Sequence, residues 1–428
     1  MHSHCLIKGP SKPLRGKITI PASKNASMPI LVAAALIKNC NITISNLPNI
    51  SDIKNLLAIL KLLGVSINSK ETGIIISNQM DLTAPILDTI PVVYSSALRG
   101  SIYALAIPLL KYGHAKIGKI GGDKIEGRNW DPHFRLLHGF GIQLTKNFSS
   151  WNLVGRPKQN QEFNIQDNGI TATSLAIIIA ASLEGRTVIR NSSQEIENND
   201  VIKAVNNFGA NAYRDNDAIV VNGPMQPNDY YIEIPPDQVV WGTFAISTLL
   251  TGGKLLSSHN KLEEFVVRSR PIINALQESG ANVSKKDETT LIVEGEIKNC
   301  LEISTGVHPK FPSDLVPQMM ILMSQAPGVS VVIENLYKDR YGHVRNLRKI
   351  GADIIVSGNK AYIHGKRSKL FSAEIVDGGG IRESCAMILS GLIAYGETKV
   401  FNACSINRGY QNLVGDLSSL GADICWKQ

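Results

Sequence analysis

The sequence predicts an α/β fold of two domains, a two-domain inside-out α/β barrel built from six copies of one αβ module with helices inside and sheets outside. Three observations predict it. The segment Leu347-Arg-Lys-Ile-Gly351-Ala352 joins an apolar helical stripe to an alternating stretch, and the same corner recurs at Leu60 to Gly64, Leu137 to Gly141, Val205 to Gly209, Leu276 to Gly280 and Leu417 to Gly421. From glycine to glycine the steps are 77, 68, 71, 71 and 70 residues, which fills the 428-residue chain with six units. Units also hold an apolar run rich in small residues, suited to a buried helix, followed in the third to sixth units by a strand phrase that opens on glycine.

The elements follow in order. Ile7 to Pro21 reads as a short strand pair around Gly16, and Ile30 to Ile37 as a buried helix. Ser23, Lys24 and Asn25 stand just before that helix, where they are either an ordinary polar cap or a cation with amide donors at an anion-favouring helix end. Ser51 and Asp52 are expected to cap an amphipathic helix over Ile53 to Leu63, and a strand pair follows around Glu71-Thr-Gly73. Arg99 opens the next apolar helix. A cation there opposes the helix dipole and calls for a bound anion or a carboxylate partner.

Lys116 to His133 is rich in glycine and in both signs of charge, as befits either a loop that delivers Asp123 and Arg128 to a cleft or a solvated hairpin. Gly169-Ile-Thr171-Ala-Thr173 begins the third buried helix, and Gly185, Gly252, Gly328 and Gly396 open the strand phrases of later units. The repeat resets at Pro235-Pro-Asp237. Domains are therefore expected over 24–235 and 236–428, the second completed by the 1–23 segment.

Composition narrows the classes of function. With 43% hydrophobic residues the chain buries a large core, and six scattered cysteines without C-x-x-C suggest reduced thiols in the cytoplasm. Neither a membrane-crossing run nor a signal-type apolar core is present in the sequence. The balance of 44 Lys plus Arg against 36 Asp plus Glu gives +8, but these charges are dispersed and no zinc finger or RNA-binding motif accompanies them. A small anionic substrate is the better match, and nucleic acid is not expected. The nine histidines form no H-E-x-x-H, and Gly121-Gly122 is neither a dinucleotide nor a phosphate-loop fingerprint, so no metal and no cofactor are expected.

Three phrases, Pro21-Ala-Ser-Lys24-Asn25-Ala-Ser-Met-Pro-Ile-Leu31, His308-Pro-Lys-Phe-Pro-Ser-Asp314 and Ile406-Asn-Arg408-Gly-Tyr410, together with the glycine loop near 120, resemble the enolpyruvyl transferases. The resemblance spans nearly the whole chain. It implies transfer of the enolpyruvyl group of phosphoenolpyruvate to the 3'-hydroxyl of a sugar nucleotide, UDP-N-acetylglucosamine, with loss of phosphate, in peptidoglycan precursor synthesis by a cytoplasmic monomer. By position, Lys24, Arg128 and Arg408 correspond to the phosphate side of the site and Arg340 and Arg382 to the rest of the cationic clamp. Asp314 takes the place of the base for the sugar hydroxyl; its other reading is a cap for the helix that follows, and the two roles are compatible. Asp123 stands where the family most often has cysteine, which implies a proton donor toward C3 and insensitivity to the epoxide fosfomycin.

Asn25, Arg99, Asp131, His133, Thr171 and Asp237 match the sugar-nucleotide pocket or its close neighbours. Departures gather here: Trp130 and Pro132 flank Asp131, Thr171-Ala-Thr173 replaces a glycine-containing turn, Asp167 stands where a cation is expected, and Asp377 lies away from the usual place of an aspartate before Arg382. A different nucleotide or sugar acceptor, or phosphoenolpyruvate binding without turnover, are the competing implications.

Overall fold

The computed structural model describes residues 4–70, 73–77, 88–122, 130–165, 169–337, 340–365, 370–375 and 378–427. They fall into two compact units, one formed by the described residues of Ala22–Asp123 and Asn129–Pro235, the other by those of Met1–Pro21 and Pro236–Gln428. Each has its own apolar core.

Among the described residues one strand rule builds six four-stranded sheets. In the second repeat, His114–Gly118 runs parallel to Thr89–Ile90 and antiparallel to Ser150–Val154, which pairs antiparallel with Gln143–Lys146. The fifth repeats this with Gly328–Ile333 parallel to Glu302–Ser304 and antiparallel to Lys360–Gly365, itself antiparallel to Asp353–Ser357. The first sheet is closed by Tyr230–Glu233, which lies parallel to Asn41–Ser45 from the other end of its unit.

The chain start corrects the sequence expectation. His4–Gly9 and Arg15–Thr19 are strands but are not paired with each other: His4–Gly9 lies between Gly396–Phe401 and Asp423–Lys427, whereas Arg15–Thr19 runs parallel to Lys254–Ser258. The physical reason is the supply of partners. The fourth and sixth repeats each need one strand that their own stretch of chain does not provide, and an interior place for His4–Gly9 with an edge place for Arg15–Thr19 satisfies more backbone groups than an isolated hairpin would.

Inside the sheets of each unit run the apolar helices. In one unit these are Lys24–Leu36, Ala106–Tyr112 and Ile170–Ala181; in the other, Gln238–Leu250, Val316–Met323 and Ile381–Gly391. Every residue from Ala172 to Ala181 and from Val316 to Met323 is buried. Such helices have no solvent-facing side, which explains a predominantly hydrophobic sequence in which the polar Thr173, Ser174 and Gln318 are themselves buried. The amphipathic helices, such as Ser51–Leu62 and Ile196–Asn207, bury one side only.

The glycine corners hold the repeat in register. Gly64, Gly141, Gly209, Gly280, Gly351 and Gly421 all have positive φ, from 83° to 110°. At the first of them Val65 N–H donates to Leu60 C=O at 3.0 Å while Gly64 N–H donates to Lys61 C=O at 3.0 Å, the paired bonds of a left-handed helix stop. At Gly421 an added Cβ would meet nothing within 4 Å, so substitution there tests backbone conformation alone. Gly421→Ala is expected to cost about 1 to 3 kcal/mol and to lower the thermal midpoint by about 2 to 12 °C; an unchanged midpoint in a melting experiment would refute the conformational role of the corner.

Candidate functional site

The repeat gives the polar residues a common address. Lys24 is the first residue of its inner helix, Arg99 opens the 3-10 run Arg99–Leu105 ahead of Ala106–Tyr112, and Thr171 lies in the first turn of Ile170–Ala181. In the other unit Asp237 precedes Gln238–Leu250, Asp314 lies in the 3-10 turn Ser313–Leu315 ahead of Val316–Met323, and Arg382 sits in the first turn of Ile381–Gly391. Helix starts present unpaired N–H groups and the positive end of the dipole, so each unit gathers anion-favouring backbone where it also places cations.

At the first helix the cap and the cation are separate residues. Ser23 is the N-cap, its hydroxyl accepting from Ala26 N–H at 3.3 Å. Lys24 Nζ reaches the Asp52 carboxylate at 3.5 Å, with side-chain exposures of only 13% and 4%. The expectation that Ser51 and Asp52 cap the following helix is corrected: the helix runs over Ser51–Leu62, its N-cap is Ile50, and no side chain caps it. Asp52 is turned toward Lys24, because a buried carboxylate gains more from a cation than from one exposed helix turn. Asn25 is half-buried in the first turn beside Lys24.

Arg99 is held by an aromatic group. Its guanidinium carbon lies 3.8 Å from the centroid of the Trp130 ring, a cation–π contact. Trp130 is itself set by His133 at 5.1 Å and by the edge of Trp151 at 5.7 Å, and Phe134 packs on Trp151 at 4.7 Å. The buried His133 ring places Nε2 2.7 Å from Thr171 Oγ1, joining two helix starts, while Asp131 is exposed at the first position of Asp131–Gly139. Thus Arg99, His133 and Thr171 belong to one cluster, and Trp130 was not among the residues expected to form it.

The second unit holds a carboxylate between two arginines. Asp314 Oδ1 accepts from Arg340 at 2.6 Å, and Oδ2 accepts from Arg382. Arg340 also donates to Ser313 Oγ at 2.6 Å and lies 4.7 Å from the Tyr337 ring centroid. The reading of Asp314 as a helix cap is not met: Leu315 is the N-cap of Val316–Met323, and no side chain bonds there. Asp237, placed by resemblance in the pocket, does cap its helix, Oδ1 accepting from Val239 N–H at 2.9 Å and Val240 N–H at 3.1 Å.

Arg408 closes the 3-10 turn Ala403–Arg408, two residues before the buried Tyr410. The Tyr410 hydroxyl lies 2.8 Å from Thr243 Oγ1 and accepts from Gln318 Nε2 at 3.2 Å, which ties the Arg408 segment to two inner helices. Burial pushes the neighbouring Cys385 thiol up to about 12, and burial likewise pushes the Tyr410 hydroxyl well above its usual range. Both stay neutral and serve the packing. Asp123 and Arg128, and with them Asp167 and Asp377, lie outside the described residues. Among the described residues no three of His, Cys, Asp and Glu group as metal ligands, and no helix is long and apolar enough to cross a membrane.

The family model for EPSP synthase (3-phosphoshikimate 1-carboxyvinyltransferase) matches residues 8–417. The chain is 35% identical over 427 residues to a UDP-N-acetylglucosamine 1-carboxyvinyltransferase of Orientia tsutsugamushi (strain Boryong), covering 99% of each. It is 33% identical to the enzyme of that name from Wolbachia pipientis subsp. Culex pipiens (strain wPip), covering 98% of each. In fold it is similar to the enolpyruvyl transferase NikO from Streptomyces tendae, with a TM-score of 0.88 at 19% identity over 100% of this chain and 99% of that one. An EPSP synthase from Acinetobacter baumannii gives 0.76 at 16% identity over the full length of both.

Proposed function

This chain belongs to the EPSP synthase family, and we propose that it transfers the enolpyruvyl group of phosphoenolpyruvate to the 3'-hydroxyl of UDP-N-acetylglucosamine, releasing phosphate, as the entry to peptidoglycan precursor synthesis. The observation that supports this reading best is Asp314 held between Arg340 and Arg382, with Asp314 and Arg382 at the starts of inner helices: one carboxylate beside cations suited to a doubly anionic substrate.

In this reading Asp314 accepts the proton of the sugar 3'-hydroxyl as its oxygen bonds to C2 of phosphoenolpyruvate, while C3 takes up a proton and becomes a methyl group. Asp123 is the residue we assign to that donation. Reversal of the C3 protonation with cleavage of the C2–O bond to phosphate then restores the enol and expels phosphate. Lys24, Arg128 and Arg408 are assigned to the phosphate, and Arg340 and Arg382 to the carboxylate side. Asn25, Arg99, Asp131, His133, Thr171 and Asp237 are assigned to the sugar nucleotide, with Trp130 as the platform that orients Arg99. These substrates place the reaction in the cytoplasm.

The reading is tested by incubating the purified protein with phosphoenolpyruvate and, separately, UDP-N-acetylglucosamine, UDP-N-acetylgalactosamine or shikimate 3-phosphate, following phosphate release and product mass. Phosphate together with an enolpyruvyl adduct of UDP-N-acetylglucosamine alone is the expected result; turnover of another acceptor would replace the assigned substrate. A second expectation concerns Asp123, which lacks the thiolate that an epoxide alkylates. Fosfomycin should leave the wild-type protein active, and Asp123→Cys should make it subject to time-dependent inactivation with a stable adduct seen by intact mass. Inactivation of the wild-type protein with an adduct at Asp123 would contradict the assignment.

A further inference from the structure

Glu334 follows the strand Gly328–Ile333 and is 3% exposed, a carboxylate that no feature of the proposed reaction uses. Its Oε1 accepts from Thr305 Oγ1 at 2.9 Å and from the N–H groups of Leu336 and Tyr337 at 2.9 and 3.2 Å. Its Oε2 accepts from Ser313 Oγ at 2.5 Å. Ser313 directly precedes Asp314, and its hydroxyl in turn accepts from Arg340, whose other terminal nitrogen donates to Asp314.

The direction of these bonds follows from the groups themselves. A guanidinium only donates, a carboxylate only accepts, and a hydroxyl has one proton to give. Committing that proton to Glu334 leaves the lone pairs of Ser313 for Arg340, so the chain Arg340 to Ser313 to Glu334 has one polarity. Glu334 also fixes the turn through Leu336 and Tyr337, and the Tyr337 ring lies against the Arg340 guanidinium. Two of the contacts that hold Arg340, those to Ser313 and Tyr337, therefore lead back to one buried carboxylate.

We propose that Glu334 is a positioning residue for the reaction: acting through Ser313 and the Tyr337 turn, it holds Arg340 in place and thereby sets the orientation of Asp314. The inference rests on the proposed enolpyruvyl transfer for its kinetic consequence but not for its geometry. When Asp314 turns its oxygen to a substrate hydroxyl, Arg340 keeps an anionic partner one hydroxyl away and stays where it is. Glutamine cannot replace Glu334, because an amide has a single acceptor oxygen while Glu334 accepts on both sides.

The test uses full-length Glu334→Gln, Ser313→Ala, the double variant and Ser313→Thr, assayed with phosphoenolpyruvate and UDP-N-acetylglucosamine and crystallised. Each single disruption is expected to lower kcat about 10- to 100-fold, the range for misorientation of a reacting group, with acceptor KM changed by less than about threefold. The double variant should be no worse than the poorer single one, because both changes cut one chain. Ser313→Thr, which keeps the hydroxyl, should recover most of the loss. Crystals of Glu334→Gln should show Arg340 turned from Asp314. Should Glu334→Gln fold poorly, Ser313→Ala decides the same point by removing one buried hydroxyl. Retention of the Arg340–Asp314 contact in the disrupted variants, or additive kinetic losses, would overturn the inference. A wild-type protein silent toward these substrates would sink the proposed reaction, while the side-chain positions would still decide the role of Glu334.

Discussion

Asp314→Asn is expected to lower kcat by roughly 10² to 10⁴-fold, the span associated with loss of a general base. An amide nitrogen has no basicity to offer a sugar hydroxyl, so the loss should appear in kcat and in kcat/KM together rather than in KM. The substitution is also not silent structurally. Both carboxylate oxygens of Asp314 accept from guanidinium groups, and an Asn side chain would point its own N–H donors at one of them. A stability loss of about 1 to 3 kcal/mol is therefore expected as well, and a melting curve taken beside the kinetics separates it from the catalytic effect. Turnover near the wild-type rate would remove Asp314 from the role of base and leave it as the clasp between Arg340 and Arg382.

Much of the fold could be read in the chain because its signals are local. A glycine that must take positive φ and an apolar run with no polar face are properties of a few consecutive residues, and both recur at an even interval that only a repeat produces. What periodicity cannot convey is partnership. His4–Gly9 and Arg15–Thr19 are correct as strands, yet each completes a sheet whose other strands lie more than two hundred residues away in sequence. The same limit applies to the candidate site. Lys24 and Arg99 stand out locally as cations at the starts of apolar helices, Thr171, Asp314 and Arg382 are assigned to the site through the resemblance, and Asp52 reads as a cap until its distance to Lys24 is known. Glu334 gave a fainter signal, an acidic residue directly after an apolar strand, and Trp130 gave one only as a departure beside Asp131. Asp237 shows another limit: the resemblance places it at the pocket, and only the structure shows that its carboxylate caps the helix that follows.

The pairing of Lys24 with Asp52 makes it possible to separate stability from function at one position. Lys24→Met should reduce kcat/KM for phosphoenolpyruvate by at least about 100-fold, since it removes a point charge assigned to the phosphate from a helix start that already favours anions. It should also destabilise the protein, because Asp52 is 3% exposed and loses the cation at 3.5 Å. Removing one member of a buried pair costs about 3 to 5 kcal/mol, whereas removing both charges is often nearly neutral. Lys24→Met combined with Asp52→Asn should accordingly regain much of the lost stability and none of the lost activity. Asp52→Asn alone should leave Lys24 charged and keep more activity than either variant lacking it. If the double variant recovered phosphoenolpyruvate turnover along with its melting temperature, Lys24 would be a structural counter-ion for Asp52, and the phosphate would have to be held by other cations.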